Sequence, residues 1–334
     1  MENFLKRVEW YVLKFSASLK SSSYQLFVKK EEGECFKPDF AYLCPLCVKE
    51  HIVYLSDEKL LNWNEDFDLD HFPPKSAGGK HTVLVCKKCN STYGLDIDHM
   101  VVEFLKFDAF SKKIENAKIN ALSTFKGTKG KYPINLGLYK DGSIRFELPK
   151  KPMPFVNDWL NEAKTNSNWE IQISFNGPSN NKFQKSLLKS AYLYSFMTWG
   201  YDFIFSKTGN KIREVLQGSE SHPLANFGVF VSFNDTDFQN GIILSNNSSI
   251  YNGFIVNFEI IEKETGHKGY VSVLIPGNDS NSWDDLKLIQ EQIDNKKVFT
   301  IGGIKMNEDF KKPIIGKPFT KDWDDYKNNN LRFK

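Results

Sequence analysis

Apolar residues in the opening stretch, MENFLKRVEWYVLKFSASLK, recur at helical spacing and are interrupted throughout by charged ones. That pattern predicts an amphipathic helix, followed by a Ser-rich turn and an extended piece, YQLFVKK. A cysteine-bearing segment runs from about Cys35 to Phe125. Its last part, HMVVEFLKFDAFSKKIENAKINAL, keeps near-helical spacing without Pro or Gly and predicts one helix or two. FKGTKGKYP then interrupts the pattern with Gly and Lys, which places a domain boundary between residues 1–125 and 126–334.

Downstream, PINLGLYKDGSIRFELP alternates around Asp141-Gly142, a hairpin signal, and NWEIQISFNG reads as another strand. The run from NNKFQ to LQG predicts one or two helices ending at Gly218. Leu187, Leu188, Ala191, Tyr192, Phe196 and Tyr201 form its expected core face. Lys182, Lys185 and Lys189 lie three and four apart, and are expected as a solvated basic stripe or, alternatively, a DNA contact. FGVFVSFN, NGIILSNN, NGFIVNFEIIEK, KGYVSVLIPG and KVFTIGGIK read as strands, with a short helix at SWDDLKLIQEQID. The fold class is therefore α+β.

Composition narrows the function classes. At 334 residues with 40% hydrophobic and 25% charged positions, the chain has enough apolar material for large cores. No apolar run reaches the length of a membrane span, and the N-terminus lacks the uninterrupted apolar core of a secretory signal, so a cytoplasmic location is expected. The net charge of +3 is too small to imply a polyanion partner. Its distribution is more informative: residues 71–131 carry 11 Lys against 5 acidic residues, whereas residues 1–70 carry 9 basic against 13 acidic.

All five cysteines fall in the first 89 residues, four of them as two C-x-x-C pairs, CPLC and CKKC. In a reducing compartment such pairs favour a metal over disulfides. One zinc held by Cys44, Cys47, Cys86 and Cys89 is the expectation, with a redox pair or coincidence as the alternative. Zinc bound by four thiolates has no open position, so its role would be structural. Cys35 is left over as an inert thiol.

The segment between the knuckles contains Asp70-His71, then Pro73-Pro74 and Gly78-Gly79 in a constrained turn. A carboxylate suits a hard cation and an imidazole can deprotonate water, the two requirements of phosphodiester hydrolysis. Asn90, directly after the second knuckle where a helix can start, offers a carbonyl oxygen to the same cation. Asp98 is expected to cap the next helix, with His99 as a polar face residue; the alternative is a second catalytic shell formed by Asp96, Asp98 and His99.

The stretch DLDHFPPKSAGGKHTVLVCKKCNSTYG resembles the motif of HNH endonucleases of the ββα-metal superfamily, over about Cys44 to Asp98. The two knuckles, the D-H pair and the Asn after the last cysteine are also similar to phage junction-resolving endonucleases. The resemblance implies an N-terminal ββα-metal module with structural zinc, joined to a mixed α+β domain for recognition, oligomerisation or regulation. It implies His71 as general base, Asp70 and Asn90 as ligands of Mg²⁺ or another divalent cation, and the four paired cysteines as zinc ligands. The family's middle position, usually Asn, falls on His81, where it would brace the loop carrying the base. Lys75, Lys80, Lys87 and Lys88 flank the motif as candidate phosphate contacts. The implied partner is DNA, with RNA open. A homodimer would serve double-strand cleavage, and a regulatory partner or ligand would act through the second domain. By analogy the setting is bacterial restriction or phage defence. The alternative is a zinc-ribbon protein without catalysis, binding nucleic acid or acting as an adaptor.

Overall fold

The computed structural model describes residues 2–22, 26–29, 35–54, 66–125, 131–147, 154–165, 171–174, 177–218, 228–233, 238–245, 253–277 and 303–305. Helix α1, Glu2–Ser21, buries Val8, Tyr11, Val12, Phe15 and Leu19, a stripe at helical spacing that confirms the amphipathic reading. Short strands β1 (Val28–Lys29) and β2 (Cys35–Phe36) pair next, and β1 falls within the expected extended stretch. Cys35 opens β2, and its side chain lies outside what the structure describes. Strands β3 (Phe40–Leu43) and β4 (His51–Tyr54) form a hairpin across the first knuckle, and α1 packs on β3.

A second hairpin joins β5 (Phe67–Phe72) to β6 (His81–Cys86) and runs directly into α2 (Lys87–Tyr93). A π-helical turn over Gly94–Asp98 connects α2 to α3, His99–Ser111. The helix ends there, earlier than its apolar spacing suggests. Lys113 and Asn116 adopt left-handed backbone, and residues 118–125 become strand β7. In that segment Ile119 and Ala121 alternate into a small core with Ile134 and Leu136, so a period of two prevails over helical spacing. β7 pairs with β8 (Tyr132–Leu138) and β10 (Ile171–Ser174), and β8 with β9 (Ile144–Glu147), giving the order β10-β7-β8-β9. The β8–β9 turn is the expected hairpin, with Gly142 at φ 76°. Helix α4 spans Pro154–Thr165. Residues 126–130, within the expected boundary, lie outside the described residues.

Three helices follow: α5 (Asn180–Trp199), α6 (Tyr201–Ile204) and α7 (Lys207–Gln217), the last ending at Gly218 as expected. The break falls at Gly200, whose φ of +63° and close approach to Ser18 exclude a side chain. The remaining described strands, β11 (Val229–Ser232), β12 (Gly241–Ser245), β13 (Gly253–Ile261), β14 (Lys268–Pro276) and β15 (Gly303–Lys305), form an antiparallel sheet in the order β11-β14-β13-β12-β15. The segment SWDDLKLIQEQID lies outside the described residues.

Helix α5 is the centre of the molecule. It packs against α3, the π turn and β5 on one side and against β11, β13 and β14 on another. One continuous cluster of buried side chains therefore runs from α1 through the cysteine module and α5 to the five-stranded sheet. The fold is mixed helix and sheet, α+β as expected. Among the described residues no helix is long and apolar enough to cross a membrane.

Candidate metal centre and cleft

The cysteine cluster is assembled from two corners. The β3–β4 turn carries Cys44 and Cys47, and the β6–α2 junction carries Cys86 and Cys89. Their sulfurs all lie within 4.8 Å of one another, with Cys47 Sγ 3.9 Å from Cys86 Sγ. A tetrahedral ion with metal–sulfur bonds of about 2.3 Å separates its ligands by just under 4 Å, so the four thiols fit a metal such as zinc. Backbone N–H groups already point at the sulfurs: Cys86 N–H donates to Cys44 Sγ and Cys89 N–H to Cys86 Sγ, each at 3.4 Å. Hydrogen bonding to Cys44 draws Cys47 and Cys86 down toward thiolate, while burial pushes Cys44 up. Among the described residues this is the one cluster of three or more His, Cys, Asp or Glu ligands close enough for a single ion.

The first knuckle is held from a distance. Tyr201 Oη accepts the Leu43 N–H and donates to the Leu43 carbonyl, both at 2.6 Å. Tyr192 Oη donates to the Pro45 carbonyl at 2.8 Å, and Gln217 Nε2 to that of Leu46 at 3.0 Å. Tyr192 and Tyr201, which the sequence placed in the core face of the α5–α7 segment, thus also serve as polar anchors.

The β5–β6–α2 unit is a strand–strand–helix arrangement, and beside it opens a cleft of about 530 Å³. Asp70, His71 and Lys75 line it from the hairpin, Asn90 from α2, Asp98 and His99 from the π turn and the start of α3. Asp70 and His71 sit near the end of β5, opposite Val83 and Thr82. The loop beyond them folds back tightly. Gly79 N–H donates to the Pro74 carbonyl at 3.1 Å, and a Cβ on Gly79 would lie 1.6 Å from the Pro73 carbonyl oxygen. That close approach is why the motif has glycine there.

Burial lowers the His71 pKa, and neighbouring Lys75 reinforces the shift against the opposing pull of Asp68. Asn90 uses its Nδ2 to donate to Asp68 at 3.1 Å, leaving the amide oxygen as the atom suited to a cation. Asp70 is buried and ion-paired to Lys189 at 2.7 Å. Burial raises its pKa, with Lys189 opposing and Asp98 adding to the rise. Lys189 also meets Asp98 at 2.5 Å, and Ser186 Oγ donates to the other Asp98 oxygen at 2.8 Å.

Two expectations are corrected here. The Lys182, Lys185, Lys189 stripe is not a solvated face. Lys189 and Lys185 are buried, the latter donating to the Gly218 carbonyl at 3.0 Å, and Lys182 pairs with Asp96 at 2.9 Å. The physical reason is that α5 is covered on several sides: Lys185 and Lys189 find internal partners that helical periodicity does not reveal, while Lys182 pairs with Asp96 at the surface. Asp98 stands at the N-terminal boundary of α3 but makes no side-chain capping bond, because its carboxylate is spent on Lys189 and Ser186.

His81 is at the start of β6, paired with Phe72, and its ring lies 5.8 Å from that of Phe72 and 5.4 Å from that of Tyr194. It is not among the residues lining the cleft. Of the flanking lysines, Lys75 lines the cleft, while Lys80, Lys87 and Lys88 are exposed outside it. Sequence reading missed Lys263, which reaches the cleft from the β13–β14 turn. Glu262 holds that turn by accepting from the N–H groups of Glu264 (3.1 Å) and Thr265 (2.7 Å). Nothing in the local sequence of Lys263 signals a site almost two hundred residues upstream.

Compared with family models, curated proteins and solved structures, the chain matches none.

Proposed function

We propose that the chain is an HNH-type, metal-dependent endonuclease that hydrolyses DNA phosphodiester bonds. The observation that carries this reading is the strand–strand–helix unit, with His71 on its first strand and Asn90 on its helix lining one cleft. The four-cysteine cluster supports it: an ion held there would tie the β6–α2 junction to the β3–β4 turn.

In the proposed reaction His71 is the general base. Its depressed pKa keeps the imidazole neutral near pH 7, able to take a proton from the attacking water. Lys75 and Lys263 face the same cleft and bind the phosphate oxygens. His81, packed on Phe72, braces the end of the strand that presents the base. Asp70 and the Asn90 amide oxygen supply the hard donors for a divalent cation. When bound, that cation offsets charge on the scissile phosphate and the leaving 3′ oxygen.

Nicking of a supercoiled plasmid with Mg²⁺ or Mn²⁺ tests the proposal. His71→Ala is expected to lose about 10²- to 10⁴-fold in rate while retaining its zinc and its fold. Equal nicking by the two proteins sinks the assignment. The engagement of Asp70 by Lys189 favours one second reading, a zinc-ribbon protein that binds nucleic acid without cutting it. DNA retention at low salt with no cleavage by the wild-type protein selects that reading.

A further inference from the structure

Lys189 is 1% exposed, lies mid-helix in α5, and places its ammonium between carboxylates from β5 and the π turn. Its Nζ is 2.7 Å from Asp70 and 2.5 Å from Asp98, and it stands 5.5 Å from the centre of the Tyr93 ring. Taking an ammonium and two carboxylates out of water is costly, and replacing the whole Lys189–Asp70–Asp98 triad by apolar side chains of similar volume would hold a merely structural helix about as well. Two carboxylates against one ammonium also leave one negative charge uncompensated, and both carboxylates border the cleft. A monovalent cation is therefore built into the wall where the proposed reaction needs a divalent one.

We propose that Lys189 is a fixed counter-ion of the Asp70–Asp98 pair, a positioning residue that weakens and thereby sets the affinity of the cleft for a divalent cation. The inference rests on the nuclease reading for its biological meaning but not for its measurement. Lys189 holds Asp70 in place by one oxygen and subtracts one unit of charge from the field a cleft cation would feel.

The test is Mn²⁺ binding to the full-length, zinc-loaded protein, followed by the spectroscopic signal of free Mn²⁺ and by calorimetry. Lys189→Gln is expected to bind Mn²⁺ at least tenfold more tightly than wild type, Lys189→Arg to match wild type, and Asp70→Asn to abolish the gain made by Lys189→Gln. If Lys189→Gln does not fold, the Lys189→Gln/Asp98→Asn double variant carries the test. It restores the cluster charge of wild type while leaving Asp70 unpaired, and tighter binding than wild type is again expected. Equal or weaker binding in every folded variant, or failure of both variants to fold, overturns the proposal and makes Lys189 purely structural. A gain in affinity without any plasmid cleavage supports the counter-ion role while removing the nuclease reading. Cleavage without a gain in affinity does the reverse.

Discussion

Breaking the cysteine cluster at Cys86 has an effect that can be sized from the chain itself. Cys86 contributes three links at once: its sulfur to the cluster, its N–H to Cys44 Sγ, and its Sγ as acceptor for the Cys89 N–H. A metal joining the two knuckles closes the 38 residues between Cys47 and Cys86. The loop-closure relation for a cross-link of that length gives about 13 cal/mol/K, or about 4 kcal/mol at 25 °C. Unfolding entropy of about 2.1 cal/mol/K per residue gives a chain of this size about 0.7 kcal/mol/K, so the loss converts to a fall in Tm of about 6 °C. That figure is a floor, since zinc affinity adds to it. The assay is metal analysis of the purified protein together with thermal unfolding of wild type, Cys86→Ser and chelator-treated wild type. One zinc per chain is expected in wild type and in a Cys35→Ser control, with both perturbed samples melting at least 6 °C lower. Far less than one zinc per chain in wild type, or an unchanged Tm after complete metal removal, refutes the clamp.

Removing either cleft lysine, in Lys75→Ala or Lys263→Ala, should weaken DNA binding and reduce the slope of log affinity against log salt by about 0.9; an unchanged slope for Lys263→Ala removes it from the interface. Tyr201→Phe should cost about 1–3 kcal/mol in denaturant unfolding, because it leaves the buried Leu43 N–H and carbonyl without their partner; a loss within experimental error contradicts that role. Glu262 should contribute stability that depends on pH. Burial raises its pKa, but hydrogen bonds from Thr265 and the turn backbone outweigh this and hold it below the usual 4.5. A depressed folded pKa means the contribution is complete above about 4.5 and fades as pH falls through the folded value. The Tm deficit of Glu262→Gln should therefore be largest at neutral pH and shrink below pH 4.5, and a deficit independent of pH assigns it to packing alone.

The parts of the molecule legible in the sequence are those set by local chemistry. The α1 stripe and the Asp141-Gly142 hairpin each follow from a few adjacent residues, and the structure has both. The helix expected to start after CKKC begins earlier, at Lys87 inside the knuckle, with Cys86 as its N-cap. Pairing of the two knuckles was also readable, because thiols at that spacing have few other uses. What escaped was determined by what packs against an element. Lys185 and Lys189 look like a wet helix face until the acceptors at Gly218, Asp70 and Asp98 are in place. IENAKINAL scans as helix until β8 and β10 supply ladder partners for β7. Lys263 enters the cleft only through tertiary contacts and carries no local signal, whereas Asp98 and His99 stand out in LDIDHM but take their place in the cleft only once α5 and the hairpin are packed.

The hydroxyl and amide anchors from α5–α7 to the first knuckle limit how the gene can be divided. A fragment ending at Phe125 would keep every cysteine and the whole Asp-His motif, yet lose the groups that hold Leu43, Pro45 and Leu46, along with the ammonium opposite Asp70. The metal-binding half is thus not a portable cassette. A fusion, a split-protein reporter or a chimera has to carry residues 180–218 along with the motif, or supply its own replacement for them.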